Sequence, residues 1–243
     1  MSLTIRAIDP SEVEAFRAAM GLCFGFDPVP DRLTHFEKLF EADRSRCAFD
    51  DGHLVGTAGA FSLDMTVPGA TVRCGGTTMV SVLPTHRRRG VLRKMMGAHL
   101  DDVREREEPI AALWASESSI YGRFGFGQAS VELDVTIPRE HVRFHRLAPE
   151  PDPVRIVSAE EARRLVQPVF EAVRMRTPGF YARTEDWWSE RFFFDPPDRR
   201  EGATSYRYAV AFRGRRPVGY AQYRFRGTWE GHHGRGKVQW RNC

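Results

Sequence analysis

Apolar and polar residues alternate through "LTIRAI", Leu3 to Ile8, until Asp9-Pro10 breaks the pattern, which predicts a short strand followed by a turn. The period then lengthens. Val13, Phe16, Met20 and Phe24 fall on one face of a helical repeat, with Ser11 as N-cap and Glu14 completing a capping box. "GFDPVP" interrupts this helix, and Leu33, Phe36, Leu39 and Phe40 mark the stripe of a second one over 31–46. Strands follow. Asp51-Gly52 is the dipeptide of a two-residue hairpin turn, Pro68-Gly69 marks the next turn, and "TTMVSVLP" reads as a strand ending at Pro84. A long helix is predicted from His86 to Glu107, its buried stripe being Val91, Leu92, Met95, Met96, His99, Leu100 and Val103. "IAALWAS" suits a buried parallel strand. "ESSIYGRFGFG" suits a short helix closing in glycines, and "QASVELDVTIP" alternates as a strand.

This order predicts a mixed α/β domain built on a mixed sheet, complete near Pro138. We read residues 1–146 as the first domain, the proline-rich 147–154 as a linker and 155–243 as a second, incomplete one. The second segment opens like the first, with a strand and then a helix capped by Ser158 and Glu161, and turns a hairpin near Arg213-Gly214. "HLVGTA" and "RPVGYA" follow the two hairpin turns, a weak internal repeat. The second copy has no counterpart of the helix that follows the arginines, which predicts a long exposed sheet edge and association into a homo-oligomer.

Composition removes several alternatives. The chain has 243 residues with 42% hydrophobic and 28% charged, an ordinary globular balance. The net charge is +4 and, apart from one run, the cations are scattered, which argues against a nucleic-acid partner. No apolar run approaches the ~20 residues of a membrane span. The N-terminus lacks an apolar signal segment, so a soluble, cytoplasmic protein with no membrane partner is expected. The four cysteines form no CxxC pair, and His232-His233 lacks a third ligand at suitable spacing, so no metal is expected.

The run that stands out is Arg87-Arg88-Arg89-Gly90, at the start of the predicted long helix. A helix N-terminus offers unpaired N–H groups and a partial positive charge, and Gly90 allows a ligand close to the backbone. Arginine side chains fork onto phosphate oxygens. An anion site, such as one for a pyrophosphate, is one reading. A solvated basic turn is the other, since arginines at this end oppose the dipole. Neither GxxxxGK[ST] nor GxGxxG occurs here, which disfavours a P-loop or a Rossmann turn.

"VSVLPTHRRRGVLRKMM" resembles the cofactor-binding motif of the GCN5-related N-acetyltransferases (GNAT), although Leu92-Arg93 stands where the second small residue of that motif falls. The stretch is more similar to the Eis (enhanced intracellular survival) acetyltransferases, as is "ALWASESSIYGRFGFG", Ala112 to Gly127. The resemblance implies acetyl-CoA as donor and a primary amine as acceptor, either a cationic small molecule of aminoglycoside or polyamine type or a lysine. It implies strand-like pairing of Val80, Ser81 and Val82 with the pantetheine arm. Arg88, Arg89, Gly90, Val91, Leu92 and Arg93 would hold the pyrophosphate, and Ser116 and Glu117 would flank the cofactor. Tyr121 would be the acid that protonates the departing thiolate, a chemically apt choice for a phenol with a pKa near 10. Phe24, Phe26 and Asp27 fall where relatives line the acceptor pocket; a loop packing over the core would explain the same three residues. Eis-like proteins also carry a third, sterol-carrier-like domain and use a C-terminal carboxylate as base. The present sequence is expected to lack that part, so the alternative is a CoA-binding but catalytically impaired fragment, or a regulatory or interaction module.

Overall fold

A computed structural model describes residues 3–131, 133, 135–138, 141, 143, 145–146, 150–227, 229–230, 233–234 and 236–241. Two units result: Met1–Ala129 with Thr177–Glu190, and Ser130–Arg176 with Arg191–Cys243.

The first unit is a five-stranded sheet. Its strands are β1 (Leu3–Arg6), β2 (Cys47–Asp50), β3 (His53–Val67), β4 (Ala70–Val82) and β5 (Ile110–Leu113), ordered as numbered. Pairing is antiparallel up to β4, whereas β5 lies parallel to β4, as its unbroken apolar run predicts. Asp51 and Gly52 have φ of 48° and 81°, the left-handed pair that a tight hairpin turn requires.

Helices cover both faces. Cys47 and Phe49 on β2 cluster with Val13, Phe16 and Phe40, whereas Ala48 between them clusters with Val91 and Met95. Alternate residues of a strand point to opposite faces. So α1 (Val13–Phe24) and α2 (Leu33–Leu39) cover one side, and α3 (Val91–Glu105) the other. Gly75 makes close approach possible here: a Cβ would lie 2.7 Å from Val103 Cγ2. The stripe of α3 largely follows the sequence, with Val91, Met95, Met96, His99 and Val103 buried. Beneath it, Arg44 is fully buried and pairs with Glu108 at 2.8 and 2.6 Å. Residues 177–190 dock on the far end of β3. Thr66 exchanges backbone bonds of 2.8 Å with Phe180 and Gly179, and Trp187 packs edge-on against Phe61. Glu190 accepts bonds from Lys38 (2.6 Å) and His35.

The second unit has a four-stranded antiparallel sheet ordered β6 (Val154–Val157), β7 (Arg207–Arg213), β8 (Arg216–Arg226), β11 (Lys237–Arg241). A two-residue ladder, β9 (Trp229–Glu230) with β10 (His233–Gly234), precedes β11. The amphipathic α4 (Ala159–Arg174) follows β6 and buries Ala162, Val166, Val169 and Phe170. Ser158 caps it, accepting the Glu161 N–H at 3.1 Å. The order β6, helix, β7, β8, β11 repeats the order β1, helix, β2, β3, β4 of the first unit, with the same antiparallel pairing.

Four local expectations need correction. Asp9, not Ser11, starts the first helical segment: its carboxylate accepts the Ser11 N–H at 2.9 Å, while Glu12, not Glu14, returns to the Asp9 N–H at 2.8 Å. Pro10 at the first position favours that start. The helix over 31–46 is broken, because Phe40 turns extended and enters the core beside Phe16. The long helix begins at Val91 rather than His86, since Arg88 and Gly90 both adopt left-handed φ. Within 128–138, the described residues form no strand, and Val131, Leu133, Val135 and Ile137 are exposed. His232 and part of the linker, 147–149, lie outside the described residues.

Candidate active site

The site grows from the point where two strands part. β5 pairs with β4 only from Ile110 opposite Cys74 to Leu113 opposite Thr77. Among the described residues, β4 from Thr78 to Val82 pairs with β3 alone. Its outer edge therefore offers peptide N–H and C=O groups, and an extended ligand bearing amides can bind such an edge as an added strand. Val80, Ser81 and Val82, the residues expected to bind an amide-bearing arm, lie on this free stretch.

The loop beyond β4 turns back to β2. His86 Nε2 lies 3.3 Å and Arg89 Nη2 3.8 Å from Asp50 Oδ2. Arg87 Nε donates to the Val82 carbonyl at 3.3 Å. Arg88 has φ 60°, a strained value for a side chain of its size. Gly90 follows at φ 77°, with open space where a Cβ would stand. Among the described residues no side chain caps α3, and no acidic residue occupies its first turn. The N–H groups of Val91, Leu92 and Arg93 thus open the helix uncapped, with exposed Arg88, Arg89 and Arg93 beside them. This is the arrangement that binds phosphate at helix N-termini. Asp50, which tethers the loop, had no signal in the sequence; it ends β2 next to the turn aspartate Asp51 and looks like an ordinary hairpin residue.

Across the gap, the chain leaves β5 and passes exposed Ser116 and Glu117 into a 3-10 helix, Ser118–Phe124, ended by Gly125 at φ 91°. Tyr121 sits in that turn, half-buried, edge-on to Phe126 at 6.0 Å. Burial, and secondarily the nearby Glu117 charge, pushes its phenol above the ordinary value. It therefore keeps its proton at neutral pH, as a proton donor must. Phe124 and Phe126 are half-buried. Phe24 ends α1, and Phe26 and Asp27 follow its left-handed cap, Gly25. Phe24 and Phe26 remain 49% and 45% exposed. Among the described residues no hydrogen bond or ring contact joins these three to Tyr121. The structure thus brings the β4 edge, the arginine loop and the α3 N-terminus together by chain continuity, and β5 leads to Tyr121.

The sheet thus parts between its parallel pair, and a helix with a glycine at its head follows the inner strand. A family model described as an acetyltransferase (GNAT) domain matches residues 4–129, just over half of the chain, and the chain belongs to this family. An uncharacterized N-acetyltransferase of Streptomyces coelicolor is 41% identical over 238 residues, covering 94% of this chain and 57% of the relative. The N-acetyltransferase Eis of Mycobacterium tuberculosis is 36% identical over 170 residues, covering 66% of this chain and 42% of its own length. The crystal structure of Eis1 from Mycobacterium abscessus superposes with a TM-score of 0.70 at 27% identity, covering 92% of this chain and 53% of that one. The chain spans about half the length of the relatives it matches. Among the described residues, no helix is long and apolar enough to cross a membrane.

Proposed function

We propose that the chain transfers an acetyl group from acetyl-CoA, as co-substrate, to a primary amine. The observation that carries this reading is the continuous path from the unpaired edge of β4, through the left-handed turn at Arg88 and Gly90, to the uncapped start of α3. An amide-bearing arm fits the edge, and a pyrophosphate fits the helix start. Arg88, Arg89 and Arg93 would hold the phosphates with the backbone of Gly90, Val91 and Leu92. Val80, Ser81 and Val82 would hold the arm by main-chain bonds, with Ser116 and Glu117 on its other side.

In the reaction the amine nitrogen attacks the thioester carbonyl, a C–N bond forms, and the C–S bond breaks. The thiolate takes a proton from Tyr121, and the amine proton leaves to solvent or a base. The acceptor class is a cationic amine, of aminoglycoside or polyamine type, or a lysine. The exposed aromatic pair Phe24 and Phe26 with Asp27 supports this choice, because aromatic faces and a carboxylate attract ammonium groups. We further read 155–243 as a second copy of the same fold joined by 147–154, with 177–190 packed into the first unit, a reading supported by the repeated strand order. A cytoplasmic homo-oligomer completes the reading; sedimentation of the purified chain tests the association.

The test is thiol release from acetyl-CoA in the presence of spermidine, kanamycin and a lysine peptide. Turnover is expected with at least one amine, and Tyr121→Phe should lower it about 100-fold or more. The alternative reading is a CoA-binding chain that does not complete the reaction. Tight acetyl-CoA binding by calorimetry with no release on any amine would establish the second and sink the first.

A further inference from the structure

The β3–β4 ladder contains an irregularity beside the proposed site. Thr57 pairs with Ser81, but Gly59 pairs with Thr78. One residue of β3, Ala58, therefore stands opposite two of β4, Met79 and Val80, which is a β-bulge. Met79 carries the extra turn at φ 55°, a left-handed value unusual for a residue with a long side chain. Such a conformation persists only where its surroundings enforce it.

The enforcing group is a hydroxyl. Thr57, with no solvent exposure, donates Oγ1–H to the Met79 carbonyl at 2.7 Å. Its Oγ1 also lies 2.7 Å from Ser81 Oγ. Thr57 has one proton and has given it to Met79, so Ser81 must be the donor in that contact. A directed relay results: Ser81 O–H to Thr57, and Thr57 O–H to the Met79 carbonyl. The Met79 carbonyl and the Val80 N–H are the two ends of one planar trans peptide and point in opposite directions. Drawing the carbonyl toward β3 therefore aims the Val80 N–H away from β3. That is the side on which β5 has already ended, at Leu113 opposite Thr77.

We propose that Thr57, held by Ser81, is a positioning residue that aims the Val80 N–H at the thioester carbonyl oxygen. The inference rests on the acyl-transfer reading and adds to it. Thr57 touches neither substrate; it sets the direction of a donor that stabilises the negative charge developing on that oxygen.

The test compares Thr57→Val, Thr57→Ser and Ser81→Ala in steady-state acetyl transfer, with thermal midpoints measured alongside. Thr57→Val keeps the shape and removes the hydroxyl. Its kcat should fall about ten- to a hundred-fold, with KM for acetyl-CoA changing less than about threefold, because a misdirected donor affects the transition state more than binding. Thr57→Ser should restore kcat to within about threefold of wild type. Ser81→Ala leaves the Thr57–Met79 bond in place and should fall between them. A folded Thr57→Val protein with wild-type kcat overturns the inference, as does Thr57→Ser as impaired as Thr57→Val. Should Thr57→Val fail to fold, Ser81→Ala decides, and an unchanged kcat there overturns the inference. A wild-type chain that releases no thiol overturns the acyl-transfer reading and this one together. Wild-type turnover with unaffected variants overturns this one alone.

Discussion

Acid should weaken the first unit through one side chain, His99. It lies on the buried stripe of α3 with no exposure, and its Nε2 is 2.7 Å from Thr77 Oγ1 on β4. Burial, reinforced by Arg44 and Arg46 and opposed by Asp102, lowers its pKa from 6.5 to about 4. Its Nδ1 has no hydrogen-bond partner among the described residues, so protonation would bury a second donor without an acceptor. Between those two pH values the unfolded chain binds the proton and the folded chain does not. The folded state is therefore favoured fully above pH 6.5 and loses that advantage as pH falls toward 4. The gap of about two and a half pH units, at 1.36 kcal/mol each, amounts to about 3 kcal/mol, of which about 2.5 kcal/mol is lost by pH 4.5. Urea unfolding at intervals from pH 7.5 to 4.5 should show this loss in the wild type and not in His99→Gln. Glu12, held near 2 by Arg6, is common to both proteins and cancels in the difference. Parallel stability curves for the two proteins, or an imidazole NMR titration centred near 6.5, would refute the reasoning.

Two further substitutions test the frame around the site. Arg44→Met strands the Glu108 carboxylate, which is 8% exposed and has lost its paired guanidinium, and should cost about 3–5 kcal/mol by chemical denaturation. Adding Glu108→Gln should recover part of that loss. Gly90→Val forces a β-branched residue to φ 77° at the head of α3. It should cost about 1–2 kcal/mol and weaken acetyl-CoA binding in calorimetry, with Gly90→Asn milder on both counts.

What the sequence disclosed depended on how local the cause was. Asp51-Gly52 can be read because two adjacent residues supply both left-handed positions of the turn. The face of α3 can be read because its period is written along fifteen residues. The cap of the first helical segment is harder, because Asp9 and Ser11 are both good caps and Pro10 settles the choice between them. Alternation over 128–138 records the capacity to pair, while a strand also needs a partner edge, which the sequence of the segment does not specify. The bulge at Met79 is illegible for the same reason. It is a relation between strands, made by a hydroxyl 22 residues away, and neither Thr57 nor Met79 differs locally from an ordinary strand residue. The loop's anchor, Asp50, belongs with it.

The arginine run shows how such relations change a reading. In sequence, three cations at the head of a helix oppose the dipole, and they suit either an anion or open solvent. In the fold, Arg87 bonds back to the Val82 carbonyl, and Arg89 and His86 stand near the Asp50 carboxylate. That carboxylate offsets part of the repulsion and ties the loop to β2, while the bond to Val82 ties it to β4. The left-handed turn at Arg88 and Gly90 is thus held from both strands. A solvated basic turn would need no such tethers and would relax the strain at Arg88. The anion seat proposed above would use them, because the ordering cost of binding would then be met in folding rather than in association.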